Sequence, residues 1–285
     1  MKYIRMNKYS RFIIDNFISV INLKNAMIDT FPELPDNIVE IYLDNNDIQT
    51  ITCRLPCNLR ILSLCSNLLT ELLYIPPTLK ELYITNNKNI ILPTKITTEL
   101  NTLCCNGCNL FTIPELPLTI TSLNVSNNHL THIDIPTNIQ ILNIVNNRIS
   151  ILNITSNHKY LTELRCDNNI IKYITYIPDS ITEFHCSNNL LRTLPDIPIN
   201  LHDIYNLQIV KNSIQYPYNL KIVLSYWNNP LLYELTDISN VGQYINKINS
   251  FRKMYYKHKI IQVLYKHIQR RRQYVEDDYT FLYII

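Results

Sequence analysis

Glycine is scarce in this 285-residue chain, which contains only Gly107 and Gly242. Neither residue stands in a G-x-G-x-x-G frame, or in a G-x-x-x-x-G-K frame followed by Ser or Thr, the two glycine-rich loops that hold phosphate groups. The sequence therefore gives no support to a dinucleotide-binding enzyme or a P-loop enzyme.

Long apolar runs are absent as well, because the chain has no stretch of 18 consecutive uncharged apolar residues, the length that a membrane-spanning helix requires. Near the N-terminus, Asp15 and Asn16 interrupt an apolar patch that no small-residue cleavage site follows. The eight cysteines are scattered along the chain and fit reduced thiols. We therefore expect an intracellular, cytoplasmic protein with no signal peptide and no membrane span.

Isoleucine and asparagine are abundant instead, with 45 and 37 copies. They recur in the template L-x-x-L-x-L-x-x-N-x-L-x-x-L, where L stands for Leu, Ile, Val or Phe. Six clear copies place Asn46, Asn67, Asn128, Asn147, Asn169 and Asn189 at the asparagine slot. Five weaker copies place Ala26, Asn87, Cys108, Asn212 and Asn228 there. The copies follow one another every 20 residues or so, about the short end of the leucine-rich repeat range.

Each part of the template has a physical meaning. The central L-x-L predicts a short strand with inward apolar side chains, and successive strands stack about 4.8 Å apart in one parallel sheet. Prolines after the last apolar slot predict an extended, polyproline-like return segment rather than a helix. We predict a leucine-rich repeat solenoid with a curved parallel β-sheet on its concave side. Residues 1–17 form an N-terminal cap, residues 18–235 about eleven repeats, and residues 236–285 a basic, α-helical C-terminal cap.

The asparagine slot turns the chain away from the sheet, and its amide can pair with backbone groups of its own and neighbouring coils. We predict a structural asparagine ladder made of Asn46, Asn67, Asn87, Asn128, Asn147, Asn169 and Asn189. Asn-Asn pairs such as Asn45-Asn46 also suit a tight turn in a chain with almost no glycine.

The phrases Ile113-Pro-Glu-Leu-Pro117 and Leu194-Pro-Asp-Ile-Pro198, each followed by the strand motif, resemble the bacterial effector subtype of leucine-rich repeat proteins, the YopM and IpaH kind. The resemblance covers about residues 18–235 and implies the fold. IpaH-type proteins also carry a large C-terminal ubiquitin-ligase domain, whereas the last cysteine here is Cys186. The sequence therefore argues against ligase activity. The richness in Ile, Asn and Tyr resembles an A/T-biased genome, such as that of a large DNA virus, which would place the protein in the host cytoplasm.

The C-terminal segment, residues 236–285, has a different pattern, with apolar residues at helical spacing. It contains nine Lys or Arg against four Asp or Glu, whereas the rest of the chain contains 17 against 19. Residues 261–274 resemble an IQ motif for calmodulin-like partners, although His267 stands where that motif has Gly. Two interpretations stay open. The segment is a cap over the last coil, which solenoids need, or an adaptor helix that binds a calmodulin-like protein, an anionic membrane or nucleic acid.

Cys104-Cys105-x-x-Cys108 invites a metal-site interpretation. However, Cys105 fills an inward strand slot and Cys108 the asparagine slot, where a thiol packs as a small apolar group. A structural zinc site needs four converging ligands, and none of the seven histidines stands in an H-E-x-x-H frame. We therefore predict no metal, no cofactor and no catalytic residue.

The candidate functional surface is the concave face. Its outward strand slot contains Tyr42, Ser63, Tyr83, Cys104, Asn124, Asn143, Arg165 and His185, and neighbouring slots contain Glu40, Glu81, Glu163 and Glu183. Tyr and Arg are frequent anchors of protein interfaces. We predict that Tyr42, Tyr83, Asn124, Asn143, Arg165 and His185 bind an unknown protein partner. The alternative is that pairs such as Glu163 with Arg165 are ordinary solvated ion pairs.

The predicted function is thus a non-catalytic scaffold for protein–protein interaction. An enzyme would need a pocket in which titratable groups converge. The sequence contains no motif that indicates such a set of catalytic residues.

Overall fold

Short strands provide the regular structure of the chain. The computed structural model describes residues 2–5, 11–14, 18–192, 198, 207–208 and 212. The strands are β1 (Lys2–Arg5), β2 (Arg11–Ile14), β3 (Val20–Asn22), β4 (Glu40–Tyr42), β5 (Ile61–Ser63), β6 (Glu81–Tyr83), β7 (Thr102–Cys104), β8 (Ser122–Asn124), β9 (Ile141–Asn143), β10 (Ile151–Leu152), β11 (Glu163–Arg165), β12 (Tyr173–Ile174), β13 (Glu183–His185) and β14 (Leu207–Gln208). No helix occurs among these residues, and hence none that could cross a membrane.

Ten of the strands form one parallel sheet in the order β14-β13-β11-β9-β8-β7-β6-β5-β4-β3. Equivalent residues of successive repeats are paired, so that Tyr42 lies beside Ser63 and Ser63 beside Tyr83. The weak copy that starts at Ile204 also contributes a strand, because Leu207 pairs with Phe184. This register confirms the predicted leucine-rich repeat solenoid with its parallel sheet.

The core lies directly behind the sheet. In β4–β9, β11 and β13, the middle residue, such as Ile41, Leu62 or Leu82, is fully buried, as is the apolar residue that follows the strand, such as Leu43 or Leu64. Apolar side chains of the return segments complete one continuous core. Because only alternate strand residues point inward, the two flanking residues of each strand remain on the opposite face of the sheet.

A left-handed turn follows each of the strands β3–β9, β11 and β13 and precedes the asparagine slot. The residues with positive φ immediately before the slot are Asn25, Asn45, Ser66, Asn86, Gly107, Asn127, Asn146, Asn168 and Asn188. Asparagine tolerates this conformation better than most residues with a Cβ atom. At Gly107, a Cβ atom would lie only 2.5 Å from Oδ1 of Asn86. The first residue of each Asn-Asn pair therefore serves the turn.

The described return segments contain no helix, and a β-turn precedes several of the next strands. A proline carbonyl accepts a hydrogen bond from the N–H three residues later, as between Pro56 and Leu59 (3.2 Å) and between Pro76 and Leu79 (3.0 Å). The sequence did not predict regular pairing on this side, yet β10 and β12 form a parallel pair. Neighbouring extended segments can pair in this way because their backbone N–H and C=O groups need partners.

At the N-terminus, β1 and β2 form an antiparallel pair of their own within the segment predicted as a cap. The predicted helical cap in residues 236–285, the IQ-like residues 261–274 and the weak repeat that starts at Leu220 lie outside the described residues.

Candidate functional site

The seven ladder asparagines, Asn46, Asn67, Asn87, Asn128, Asn147, Asn169 and Asn189, are all buried. Asn67 illustrates their shared geometry: Nδ2 donates to the carbonyl of Leu64 in its own coil (3.1 Å) and of Leu43 in the preceding coil (2.9 Å). Its Oδ1 accepts the N–H of Ile48 in the preceding coil (3.1 Å). Asn212 continues the ladder, with bonds to the N–H of Leu191 and the carbonyl of Cys186. Each amide thus connects two coils.

The ladder changes where Cys108 replaces asparagine. The thiol of Cys108 donates to the carbonyl of Ile84 (3.2 Å), as an Asn amide would, but it supplies no amide oxygen. The N–H of Ile90 donates to the carbonyl of Asn87 instead (3.3 Å). The following residue, Asn109, takes positive φ. The same change of φ occurs at Met27, after Ala26 in the slot.

The predicted concave face is the solvent side of the ten-stranded sheet. We define the sheet face as the first and third residues of β3–β9, β11 and β13, together with the second residue after each strand. Parallel register brings Tyr42, Ser63, Tyr83, Cys104, Asn124, Asn143, Arg165 and His185 into one column. The structure therefore brings together all six predicted partner-binding residues, although their partner-binding role stays a prediction.

One end of the sheet face contains a cluster around Asp44. Its Oδ2 lies 2.8 Å from Nζ of Lys24, and its Oδ1 accepts hydrogen bonds from the hydroxyl of Ser63 and the N–H of Cys65. Burial raises the pKa of Asp44, but the bonds from Lys24, Ser63 and Cys65 outweigh it, so that this pKa lies below its ordinary value. Lys24 also lies over the ring of Tyr42, 5.0 Å from its centroid.

Two Glu-Tyr pairs have the same geometry. The hydroxyl of Tyr42 donates to Oε2 of Glu40 (3.0 Å), and that of Tyr83 donates to Oε2 of Glu81 (2.7 Å). Burial and the adjacent carboxylate raise the pKa of both tyrosines. Both hydroxyls therefore stay protonated and act as donors at neutral pH.

The middle of the column is uncharged. Oδ1 of Asn124 accepts bonds from the N–H and hydroxyl of Ser126 (3.1 and 2.8 Å), and Oδ1 of Asn143 accepts the N–H of Val145 (3.2 Å). Burial raises the pKa of the Cys104 thiol to about 11, so that it is protonated at neutral pH. This stretch offers amide groups rather than a nucleophile.

The other end of the face is organised by Arg165. Its Nε lies 2.8 Å from Oε1 of Glu163 and donates to Oε1 of Glu183 (2.9 Å). Nη2 of Arg165 lies 2.8 Å from the same Glu183 oxygen. Nε2 of His185 is buried 3.4 Å from the same Glu183 oxygen, at an angle that makes no hydrogen bond. Arg165 thus bridges adjacent strands.

Asp167 stands two residues after β11, as Asp44 does after β4. Burial raises the pKa of Asp167 and outweighs the opposing effects of the Ser187 N–H and of His185. The N–H of Ser187 donates to Oδ1 at 2.6 Å. Equivalent carboxyl groups of two coils thus have pKa values shifted in opposite directions, since Asp44 alone has a lysine partner.

The cysteines lie where the template places them. Cys105, Cys108, Cys166 and Cys186 are buried in apolar or ladder slots. Within residues 18–192 and the other described positions, no group of three His, Cys, Asp or Glu side chains could hold a metal ion.

A cleft of about 630 Å³ lies on the return side, between the coils of β6 and β7. Ile91 and Phe111 line it and are largely exposed, and the ring of His129 lies 5.2 Å from that of Phe111. The repeat template did not predict this cleft. The cleft is lined by two departures from the template, Cys108 in the ladder and an additional turn at Lys88.

No family model matches the chain, and no curated protein matches it. Several solved structures do. The chain is similar to YopM from Yersinia enterocolitica WA-314, with 20% identity over 64% of this chain and 54% of that chain and a TM-score of 0.38. It is similar to a leucine-rich repeat protein of Leptospira interrogans (18% identity, 73% and 64% coverage, TM-score 0.47). It is also similar to the leucine-rich repeat domain of a Shigella effector (23% identity, 61% and 70% coverage, TM-score 0.41). The chain thus spans about half the length of the YopM chain. Effector proteins of the expected subtype are among these structures, whereas a viral source receives no support.

Proposed function

We propose that this chain is a non-catalytic scaffold that binds a partner protein on its sheet face. The observation that supports the proposal is the continuous column from Tyr42 to His185, which eight strands hold in register. Residues far apart in sequence thereby form one surface, and solenoids offer such extended surfaces to their partners.

The composition of the column fits this role. Tyr42, Tyr83 and Arg165 belong to the residue types that most often anchor interfaces. Their hydrogen bonds to Glu40, Glu81 and Glu183, together with the ion pair between Arg165 and Glu163, order their side chains before binding. Pre-ordered anchors lose less conformational entropy when a partner binds.

The test is quantitative affinity purification from cell lysate with the full chain and a triple variant, Tyr42→Ala, Tyr83→Ala and Arg165→Ala. A matched control carries Tyr74→Ala, Tyr173→Ala and Arg148→Ala, which remove the same residue types from exposed positions off the sheet face. Thermal unfolding verifies that all three proteins are folded.

A protein that the wild type and the control retain, but that the sheet-face variant loses, is the expected result. If the sheet-face variant retains every protein that the wild type binds, the sheet face is not the binding surface.

A further inference from the structure

The two Glu-Tyr pairs of the sheet face each combine a carboxylate with an aromatic ring. Glu40 and Tyr42 lie on β4, and Glu81 and Tyr83 lie on β6. A carboxylate attracts an ammonium or guanidinium group by charge, and a tyrosine ring attracts it through its π face. Each pair therefore has the chemistry of a receptor for a Lys or Arg side chain.

A cation already lies over the tyrosine ring of the first pair. Nζ of Lys24 lies 5.0 Å from the ring centroid of Tyr42 and 2.8 Å from Oδ2 of Asp44. Lys24 belongs to the preceding coil, two residues after β3. Asp44 thus supplies the carboxylate for Lys24, whereas Glu40 accepts the tyrosine hydroxyl. At the second pair, Thr85 stands in the position of Asp44, and Glu81 is the carboxylate available to a cation.

The second pair has no equivalent cation. Parallel register places Cys65, two residues after β5, where Lys24 stands relative to Tyr42. Over the described part of the chain, Glu81 forms no ion pair and the Tyr83 ring has no Lys or Arg over it. Glu81 and Tyr83 are both partly exposed.

The sheet face as a whole has a net negative charge, which also favours the binding of a cation. Its described residues include six carboxylates, Glu40, Asp44, Glu81, Glu163, Asp167 and Glu183, but only two permanent cations, Lys24 and Arg165. Lys24 compensates Asp44, and Arg165 is shared by Glu163 and Glu183. Such a surface favours a partner of positive charge.

We propose that a Lys or Arg side chain from a basic segment of the partner protein docks on Glu81 and Tyr83, in the position that Lys24 occupies at Tyr42. This proposal rests on the proposed function, because it names the chemistry of the partner that the sheet face binds.

The test measures binding of a fluorescein-labelled hexa-arginine peptide to the full chain by fluorescence anisotropy. Hexa-citrulline, which has the same shape without the charge, is the matched control peptide. We expect hexa-arginine to bind, and Glu81→Gln or Tyr83→Leu to weaken its binding about threefold to fivefold, the range of one exposed cation–π contact or ion pair. Glu71→Gln removes a carboxylate from the return side and should leave the affinity within about twofold, because exposed charges at a distance are screened.

Two further variants add an internal cation at Tyr83 or remove the one at Tyr42. Cys65→Lys supplies an internal cation to Tyr83 and should weaken peptide binding, whereas Cys65→Ser should not. Lys24→Ala removes the internal cation from Tyr42 and should strengthen binding. Asn153→Lys adds the same charge at an exposed position on the return side, and separates occupation of the site from a change in net charge.

Selective loss in Glu81→Gln, Tyr83→Leu and Cys65→Lys supports the proposal. Failure of hexa-arginine to bind, equal binding of hexa-citrulline, or equal affinity for wild type and Glu81→Gln would overturn it. The proposed function fails separately, if the triple sheet-face variant still retains every protein captured from lysate. Conversely, a partner that is lost in the triple variant but binds Glu81→Gln with wild-type affinity leaves the scaffold role intact and removes the cation site.

Discussion

At the scale of single residues, the two members of an Asn-Asn pair have different roles, as Asn146 and Asn147 illustrate. Asn146 takes positive φ in the turn. Asn147 is buried, where its Oδ1 accepts the N–H of Leu130 and its Nδ2 donates to the carbonyls of Val125 and Ile144, each at 3.0 Å. Loss of the second side chain therefore leaves buried backbone groups without partners.

We predict that Asn147→Ala lowers the free energy of unfolding by about 1–3 kcal/mol, the cost of buried polar groups left unpaired. Urea unfolding measures the change. Asn153→Ala, at an exposed position on the return side, is the control and should cost less than about 0.5 kcal/mol. Equal stability of the two variants would contradict the role assigned to the ladder.

Ser66 is the only residue other than Asn or Gly that takes positive φ immediately before the slot in the described coils (φ 53°). Ser66→Asn should raise the free energy of unfolding by about 0.5–1 kcal/mol, because asparagine reaches the left-handed region with less strain. The reverse change, Asn127→Ser, starts from φ 55° and should lower it by a similar amount. Thermal unfolding of both variants checks the prediction, which changes of the same sign would refute.

At the scale of the strand and its following turn, Asp44 and Asp167 occupy equivalent positions with opposite pKa shifts. The pKa of Asp44 is lowered, so its ionised form contributes stability above the unfolded value of 3.8, and that contribution disappears as the pH falls through the folded pKa. The pKa of Asp167 is raised, so its ionised form costs stability at neutral pH. This cost disappears as the pH falls from above the raised pKa toward 3.8.

We predict that Asp44→Asn reduces the loss of stability below pH 3.8, whereas Asp167→Asn removes a gain of stability on acidification above that pH. Unfolding by urea at a series of pH values measures both slopes. Each variant is the control of the other, since both remove one carboxylate at the same position of the repeat. Identical pH profiles for the two variants would show that the ion pair with Lys24 does not make Asp44 and Asp167 titrate differently.

The strands were predictable from the sequence, because a buried middle residue such as Leu62 has to stand between two outward ones. The column from Tyr42 to His185 follows from the same alternation. The cation over Tyr42 was not predictable, because Lys24 lies in a weak copy of the repeat and contacts Asp44 only through the register of two coils. The β10–β12 pair was missed because two residues are too short to show an alternation.

At the scale of the whole solenoid, each coil is held by its neighbours, and stability is approximately a sum of contacts between adjacent coils. The N–H that follows the ladder slot usually donates to a carbonyl of the preceding coil, as from Leu68 to Ile48 (3.0 Å) and from His129 to Leu110 (2.8 Å). For Lys88 and Asn109 no such bond is present among the described residues. One hydrogen bond of this series is therefore missing on each side of the β6 coil, and the one missing at Asn109 lies at the cleft lined by Ile91 and Phe111.

The periodicity of the sequence predicted the order of the coils, but not the missing hydrogen bonds on either side of the β6 coil. Cys108 in the ladder is visible in the sequence, and cysteine is a tolerated residue at that slot. Its consequence depends on the turn that Lys88 and Asn89 form in the preceding coil. Only the three-dimensional structure shows that the Lys88 turn and Cys108 line the same cleft.

Native-state hydrogen exchange should detect the two missing hydrogen bonds. We predict that the amides of Lys88 and Asn109 exchange at least about fivefold faster than those of Leu68, His129 and Arg148, because a net hydrogen bond contributes about 1 kcal/mol. The latter three amides occupy the same position in other coils and serve as internal controls. NMR of the folded chain resolves the individual amides. Equal protection at all five positions would mean that packing of the β6 coil against its two neighbours compensates for the missing bonds, and that the β6 coil is not a weak point of the stack.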